Sequence, residues 1–308
     1  MWEKIKLKGD TIMVKDFNWS DDFIIKLLSN KQESIKTGFK TFDYLTGGLT
    51  KGQVYGLAAS TGVGKTRFAL ALMLSAWENN PNENFLFIGS EQTYENACYG
   101  LLAYKTKINE KKIYTQNYTK KEEDKLLKAA KSDKSRLYYV NMNYEGYNWI
   151  KVKEIIKNYN IDYIFYDYIG ATVNANDENY WLSLKDETDK ISKYAITNNK
   201  FFFIAMQCNI NIKTIEKKPA VYDEQFIGLS KKIADKLDVG MILTSIKGED
   251  MNRRLDVYKH RWGFAMENDE PQQIRPFKFD FGTLTLSPTP SLTEEVYLKS
   301  LYSTKEKK

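Results

Sequence analysis

From about Ile35 onward, short apolar runs alternate with stretches of helical periodicity. The runs are Gln53–Ala59, Asn84–Ser90, Arg136–Asn141, Asp162–Tyr168, Phe201–Met206, Asp238–Thr244 and Leu255–His260. Between them lie helical patterns over Lys65–Glu78, Tyr94–Thr106, Lys120–Ala130, Ile150–Asn158 and Leu182–Thr197. Strands apolar on both faces, each followed by a helix, predict a mainly parallel, twisted sheet flanked by helices on both faces, an α/β fold. A C-terminal β-hairpin is expected over Phe277–Phe281 and Thr283–Leu286, turning at Gly282. No repeat or low-complexity linker divides this block. The expected organisation is therefore an N-terminal extension over 1–34, one domain over 35–287 and a tail over 288–308. Ser20 can cap a short helix reaching Asn30, with Asp21 and Asp22 in its first turn and Phe23, Ile24, Leu27 and Leu28 on one face. Ser291 and Glu294 form a capping-box pattern in the tail.

One string within this frame carries chemistry. Ala59–Thr66 reads A-S-T-G-V-G-K-T, after an apolar strand and at the start of a helix. Glycines at 62 and 64 let the backbone bend so that successive N–H groups converge on phosphate oxygens, and the helix N-terminus adds its dipole. Ser60, Thr61, Gly62, Val63, Gly64, Lys65, Thr66 and Arg67 are the candidate nucleotide-binding residues. Lys65 is placed to reach the β- and γ-phosphates and Thr66 to hold Mg²⁺, so ATP and Mg²⁺ are the expected cofactors.

Composition narrows the setting. The chain has 308 residues, 42% hydrophobic and 28% charged, with a net charge of +6 that permits a nucleic-acid partner without requiring one. Two cysteines, Cys98 and Cys208, are too few for a disulfide scaffold, and one histidine, His260, argues against zinc sites of the His/Cys type. No apolar run approaches about 18 residues and no signal-like segment is seen, which predicts a soluble cytoplasmic protein with no membrane partner.

Three further positions share the C-terminal ends of predicted strands, where a parallel sheet forms its crevice. Asp167 ends I-F-Y-D and can bind Mg²⁺ through water. Asp162, at the start of that strand, lies at the wrong end. Glu91 ends F-L-F-I-G-S-E and can act as general base on the attacking water. Gln207 follows Phe201–Met206 and can sense the γ-phosphate by hydrogen bonding, passing its loss to the next loop.

Together these pieces resemble the ATPase domain of DnaB-type replicative helicases. The resemblance is carried by G-F-K-T-F-D-Y-L-T-G-G-L-T-K-G-Q (Gly38–Gln53), the Ala-initiated phosphate loop, Ser90–Glu91, Asp167–Tyr168, Gln207-x-Asn209 and K-H-R-W-G (Lys259–Gly263), in that order. It covers about Ile35 to Phe281 and implies a RecA-like fold, a hexameric ring with ATP at each interface, and single-stranded DNA in the channel. It also makes Arg261 an arginine finger on the neighbouring subunit's ATP, with Lys259 beside it. Such a finger is worth on the order of 10³–10⁵ in rate. His260 between them is given no catalytic role.

The connection after Gln207, roughly Asn209 to Gly228, is then expected in the channel, with Lys213, Lys217 and Lys218 on DNA phosphates. Ile210, Met206 and Ala234 stand where relatives often have Arg, Ser and Glu. The short stretch before the ATPase domain resembles a compact, phage-type helicase whose primase or loader comes in trans. The competing expectations are a RecA- or RadA-like recombination ATPase and a non-translocating regulatory ATPase. The basic pair ahead of Gly263 fits the helicase pattern better.

Overall fold

The computed structural model describes residues 3–7, 10–14, 25, 34–90, 92–131, 136–142, 149–167, 177–207, 231–246, 249–267, 270–272 and 274–288. The chain forms two compact units, Met1–Glu33 and Ser34–Lys308. In the first, β1 (Glu3–Leu7) and β2 (Asp10–Val14) pair antiparallel with Ile5 opposite Ile12. Apart from Ile25, the helix expected over Ser20–Asn30 lies outside the described residues, as does the capping box at Ser291 and Glu294.

In the second unit, β3 (Ser34–Ile35) pairs with β4 (Leu49–Thr50), and between them α1 (Lys40–Thr46) ends on Gly47. The Asp43 carboxylate closes this segment, accepting from the Thr37 amide at 2.9 Å and the Gly38 amide at 3.0 Å. The main sheet follows. Its strands are β5 (Val54–Ala59), β6 (Phe85–Gly89), β7 (Leu137–Asn141), β8 (Tyr163–Asp167), β9 (Phe201–Gln207), β10 (Val239–Ile246) and β11 (Glu249–His260). After the short pair β12 (Ala265–Glu267) and β13 (Glu270–Gln272), β14 (Ile274–Asp280) and β15 (Thr285–Pro288) complete it. The nine strands run in the order β15-β14-β11-β10-β5-β9-β8-β6-β7. From β10 to β7 all neighbours are parallel, while β11, β14 and β15 add an antiparallel edge. The hairpin about Gly282 is β14–β15.

Period-two alternation divides the core into two layers. Tyr55, Leu57, Phe165, Phe201 and Phe203 face one side, with α2 (Lys65–Asn79) and its Phe68, Leu72 and Met73 against them. Val54, Ala58, Ile164, Tyr166, Phe202 and Ile204 face the other, covered by Val152 and Ile156 of α6 (Trp149–Asn158), Ile191 and Ala195 of α7 (Asp177–Asn198) and Ile233 of α8 (Lys231–Ala234). Burial on both faces explains why β5 and β8 read as unbroken apolar runs. A smaller cluster joins α3 (Tyr94–Thr106), α4 (Glu110–Tyr114) and α5 (Lys120–Lys131) through Ala103, Ile113 and Leu126.

On α7 the Glu187 side chain is buried, with Lys190 3.8 Å away, and burial pushes its carboxyl up to about 7 against the opposing pull of Lys190. The folded state therefore holds a proton that the unfolded chain releases near its ordinary value of 4.5. That stabilisation is complete below the lower value and lost as pH rises through the higher one. Glu187→Gln is expected to leave stability nearly unchanged at pH 4 and to raise it, relative to the parent, at pH 8. Urea midpoints across this range check the sign.

Candidate nucleotide site

The candidate phosphate loop joins β5 to α2 at the C-terminal end of the central strand. Gly62 and Gly64 have φ of 85° and 102°, a left-handed region that only glycine occupies at little cost. At Gly64 an added Cβ would also lie 2.3 Å from the Phe281 ring. Gly64 caps α2 with no side-chain hydrogen bond, so the positive end of the helix dipole at the loop is not covered by a capping side chain. Ser60 is buried and its Oγ has no hydrogen-bond partner in the protein. Thr61 and Gly62 are exposed. An exposed glycine bend, a helix start with no side-chain cap and an orphaned hydroxyl fit a phosphate chain. Thr66 and Asp167 are hard oxygen donors of the kind Mg²⁺ takes.

Register brings the strand-end residues alongside. Gln207 pairs with Ala59 across β9 and β5, and its Nε2 donates to Thr61 Oγ1 at 3.0 Å. Asp167 ends β8 and is buried, while its backbone carbonyl accepts from the Ser90 amide at 2.9 Å. Glu91 lies outside the described residues, but both its neighbours are anchored. Ser90 is held by Asp167, and the Gln92 carbonyl accepts from the Tyr139 hydroxyl and from Asn141 Nδ2. Burial first, then the Asp167 carboxylate, pushes the Tyr139 hydroxyl up to about 12, so it remains a donor. Asp162, at the other end of β8, accepts from Lys51 at 2.9 Å and Lys200 at 2.7 Å. Burial raises its carboxyl, but those two hydrogen bonds outweigh it and hold the group below its ordinary value.

Lys259 and Arg261 are placed elsewhere. Gly240 pairs with Lys259 and with Gly56, so the basic pair ends β11 beside the beginning of β5. The phosphate loop leaves the opposite end, and Tyr55 to Ala59 alone spans about 13 Å at 3.3 Å per residue. Lys259 Nζ donates to the carbonyls of Ala234 and Asp235, at 2.8 and 3.1 Å. Arg261 is half exposed, its Nε 3.2 Å from Asp238, whose carboxylate also accepts from the Val54 amide at 2.9 Å. His260 is half-buried 3.4 Å from the Thr46 carbonyl, and burial pushes its pKa down. Lys213, Lys217 and Lys218 lie outside the described residues.

Sequence reading missed Arg253, behind the loop, and expected Arg67 on the nucleotide. Arg253 of β11 is buried and donates from Nε to the Val63 carbonyl at 3.0 Å, and its guanidinium lies 4.6 Å from the centre of the Phe281 ring. Arg67 donates to the Phe281 carbonyl at 2.7 Å and pairs with Glu110.

The model of the DnaB-like helicase C-terminal domain family matches residues 34–196, more than half of the chain. The SPbeta prophage-derived uncharacterized protein YorI of Bacillus subtilis (strain 168) is 28% identical over 269 residues, covering 79% of this chain. The chain spans 51% of that relative's length. Among solved structures, a DnaB-like replicative helicase described together with its interactions with primase superposes with a TM-score of 0.70. It is 16% identical, over 89% of this chain and 68% of that one. A second solved structure, of an ATPase domain, gives 0.68 at 16% identity, over 89% of this chain and all of that one. At these identities the two structures establish the fold, which is RecA-like. No helix among the described residues is long and apolar enough to cross a membrane.

Proposed function

Because the chain belongs to the family of DnaB-like helicase C-terminal domains, we propose that it is an ATP-driven ring helicase that translocates on single-stranded DNA and separates duplex at a replication fork. The observation that supports this reading is the separation of two sets of residues at opposite ends of the sheet. The phosphate loop and Gln207 occupy the C-terminal strand ends, and Lys259 and Arg261 the other. A single chain cannot bring these together across that span, whereas a second copy can. ATP hydrolysis would then require assembly.

On this reading Lys65 and the amides of Gly62 to Thr66 grip the phosphates. Thr66, and Asp167 through water, would hold Mg²⁺, which would supply positive charge to the phosphate oxygens. Glu91 takes the proton of the attacking water. Gln207 exchanges its bond to Thr61 for a phosphate oxygen and passes the change to the connection that follows, where Lys213, Lys217 and Lys218 meet DNA phosphates. Arg261 of the adjacent copy stabilises charge on the transferred group. The partners are other copies in a ring, hexameric in the family pattern, single-stranded DNA, and a primase or loader in trans.

Glu91→Gln is expected to bind ATP within about threefold of the parent while hydrolysis falls at least about 100-fold, the usual scale of a positioned base. A fully active variant removes Glu91 from the mechanism. The reading as a whole is tested on forked DNA with either a 5′ or a 3′ tail. ATP-dependent strand separation from one tail polarity, with closed rings in electron micrographs, is the expected result. DNA-stimulated hydrolysis without separation, or open filaments, would overturn it in favour of a regulatory or recombination ATPase.

A further inference from the structure

We infer that Arg253 is a positioning residue for nucleotide binding: it sets the direction of the Gly64 amide from behind the phosphate loop, using Phe281 as its backing. The inference rests on the reading of Ser60–Thr66 as a phosphate site. In a trans peptide the carbonyl and the following N–H point in opposite directions. The Val63 carbonyl is held by Arg253 Nε at 3.0 Å, so the Gly64 N–H is directed away from β11. That amide belongs to the bend whose N–H groups must converge on phosphate. Without an anchor, a peptide next to a left-handed glycine has more than one orientation available, and binding would have to fix it at an entropic cost.

The anchor is itself supported on each side. Arg253 pairs with Phe277 in the β11–β14 register and is 7% exposed, so its guanidinium has little freedom. One face lies over the Phe281 ring at 4.6 Å, a favourable cation–π geometry. The same ring packs where a Cβ of Gly64 would be. Phe281 is fixed in turn: its ring centre is 4.3 Å from that of Phe279, and its carbonyl accepts from Arg67. Arg67 pairs with Glu110, whose amide donates to the Gly282 carbonyl at 2.7 Å. The β14–β15 turn is thereby fastened to the first turn of α2. The arrangement needs arginine, since a planar guanidinium can donate along its edge while stacking by its face, and an ammonium cannot do both.

Arg253→Lys and Arg253→Met test this, with Phe85→Leu as a control that loosens the same core layer at the opposite ends of the strands, where Phe85 stacks on Tyr163. Equilibrium titration of a fluorescent ADP analogue with Mg²⁺ is read beside thermal unfolding, and hydrogen exchange follows the Gly62–Thr66 amides. Arg253→Met is expected to raise Kd about tenfold, the scale of one lost charged hydrogen bond, and to speed exchange at Gly64. Arg253→Lys should fall between it and the parent. Phe85→Leu should lower Tm and leave Kd within about twofold, because it is buried in the core beside Tyr163 and away from Phe281. If Arg253→Met does not fold, Arg253→Lys decides. Folded Arg253 variants with parental Kd, or a Phe85→Leu protein that loses affinity equally, would overturn the inference alone. A parent protein that binds no nucleotide would overturn the phosphate-site reading, and this one with it.

Discussion

Lys65→Ala is expected to weaken ATP binding by at least about 100-fold and to bring hydrolysis to background, with the fold intact. Lys65 is the first residue of α2 and Gly64, before it, is in the left-handed region, so the side chain starts where the loop opens. A hydrogen bond to a charged partner is worth about 1.5–3 kcal/mol net, or roughly 10- to 150-fold in Kd. A lysine meeting two phosphates of a polyanion belongs at the upper end. Turnover should fall further than binding, because charge grows on the bridging and terminal oxygens as the bond breaks and the same ammonium then stabilises it more strongly. The substitution is only half-buried at a helix start, and alanine is the best helix former, so Tm should not drop. Lys65→Arg separates charge from shape. Its larger, planar head should recover part of the binding and little of the turnover. Titration with a fluorescent nucleotide and a phosphate-release assay give both quantities. Parental hydrolysis by Lys65→Ala would remove the phosphate-loop assignment, and the readings of Glu91, Gln207 and Arg253 would go with it.

The parts of this molecule that could be read from sequence are those governed by short-range pattern. The apolar runs at Gln53–Ala59, Phe201–Met206 and Asp238–Thr244 became central parallel strands because burial on both faces leaves no polar alternation to misread. The glycine-lysine-threonine bend and the hairpin turn at Gly282 are set by local backbone demands. The antiparallel strand β11 was different. Only Leu255–His260 reads as strand, yet it begins at Glu249, because Asn252, Arg253 and Arg254 look like surface. Their charges are satisfied inside: Arg254 pairs with Asp256 at 2.6 Å, both buried, and Arg253 meets a carbonyl 190 residues earlier. Such partners are invisible to any window along the chain. The short helices α1 and α4 escaped for a related reason. Five to seven residues are marginal as isolated helices, and these are held by Asp43 and by the Arg67–Glu110 pair. In the site, position along strands predicted that Gln207 would lie beside the loop, since the parallel register aligns strand ends. No comparable rule announces a residue that acts from the back of a loop.

Mixing two inactive proteins should restore activity if Arg261 works on a neighbour. Arg261→Ala alone is expected to lose on the order of 10³-fold in hydrolysis while binding ATP nearly as the parent does. The fold should survive, because the Arg261 amide still donates to the Asp238 carbonyl at 2.8 Å and the buried Asp238 carboxylate keeps the Val54 amide as a donor at 2.9 Å. Lys65→Ala is inactive for a different reason, since it cannot hold the nucleotide. In a head-to-tail ring each interface draws its ATP from one copy and its finger from the next. Random assembly of equal amounts therefore gives about one interface in four with an intact Lys65 on one side and an intact Arg261 on the other. Hydrolysis should recover to at most about a quarter of the parent rate, and the recovery should vanish on dilution below the assembly concentration. A finger acting within its own chain predicts no recovery at any ratio, because every copy then lacks one essential group. The separation of Lys259–Arg261 from the phosphate loop along β5 and β10 argues for the first outcome. Arg261→Lys in place of Arg261→Ala sharpens the test. An ammonium keeps the charge but cannot grip two phosphate oxygens at once, so it should raise the basal rate only slightly and leave complementation as large.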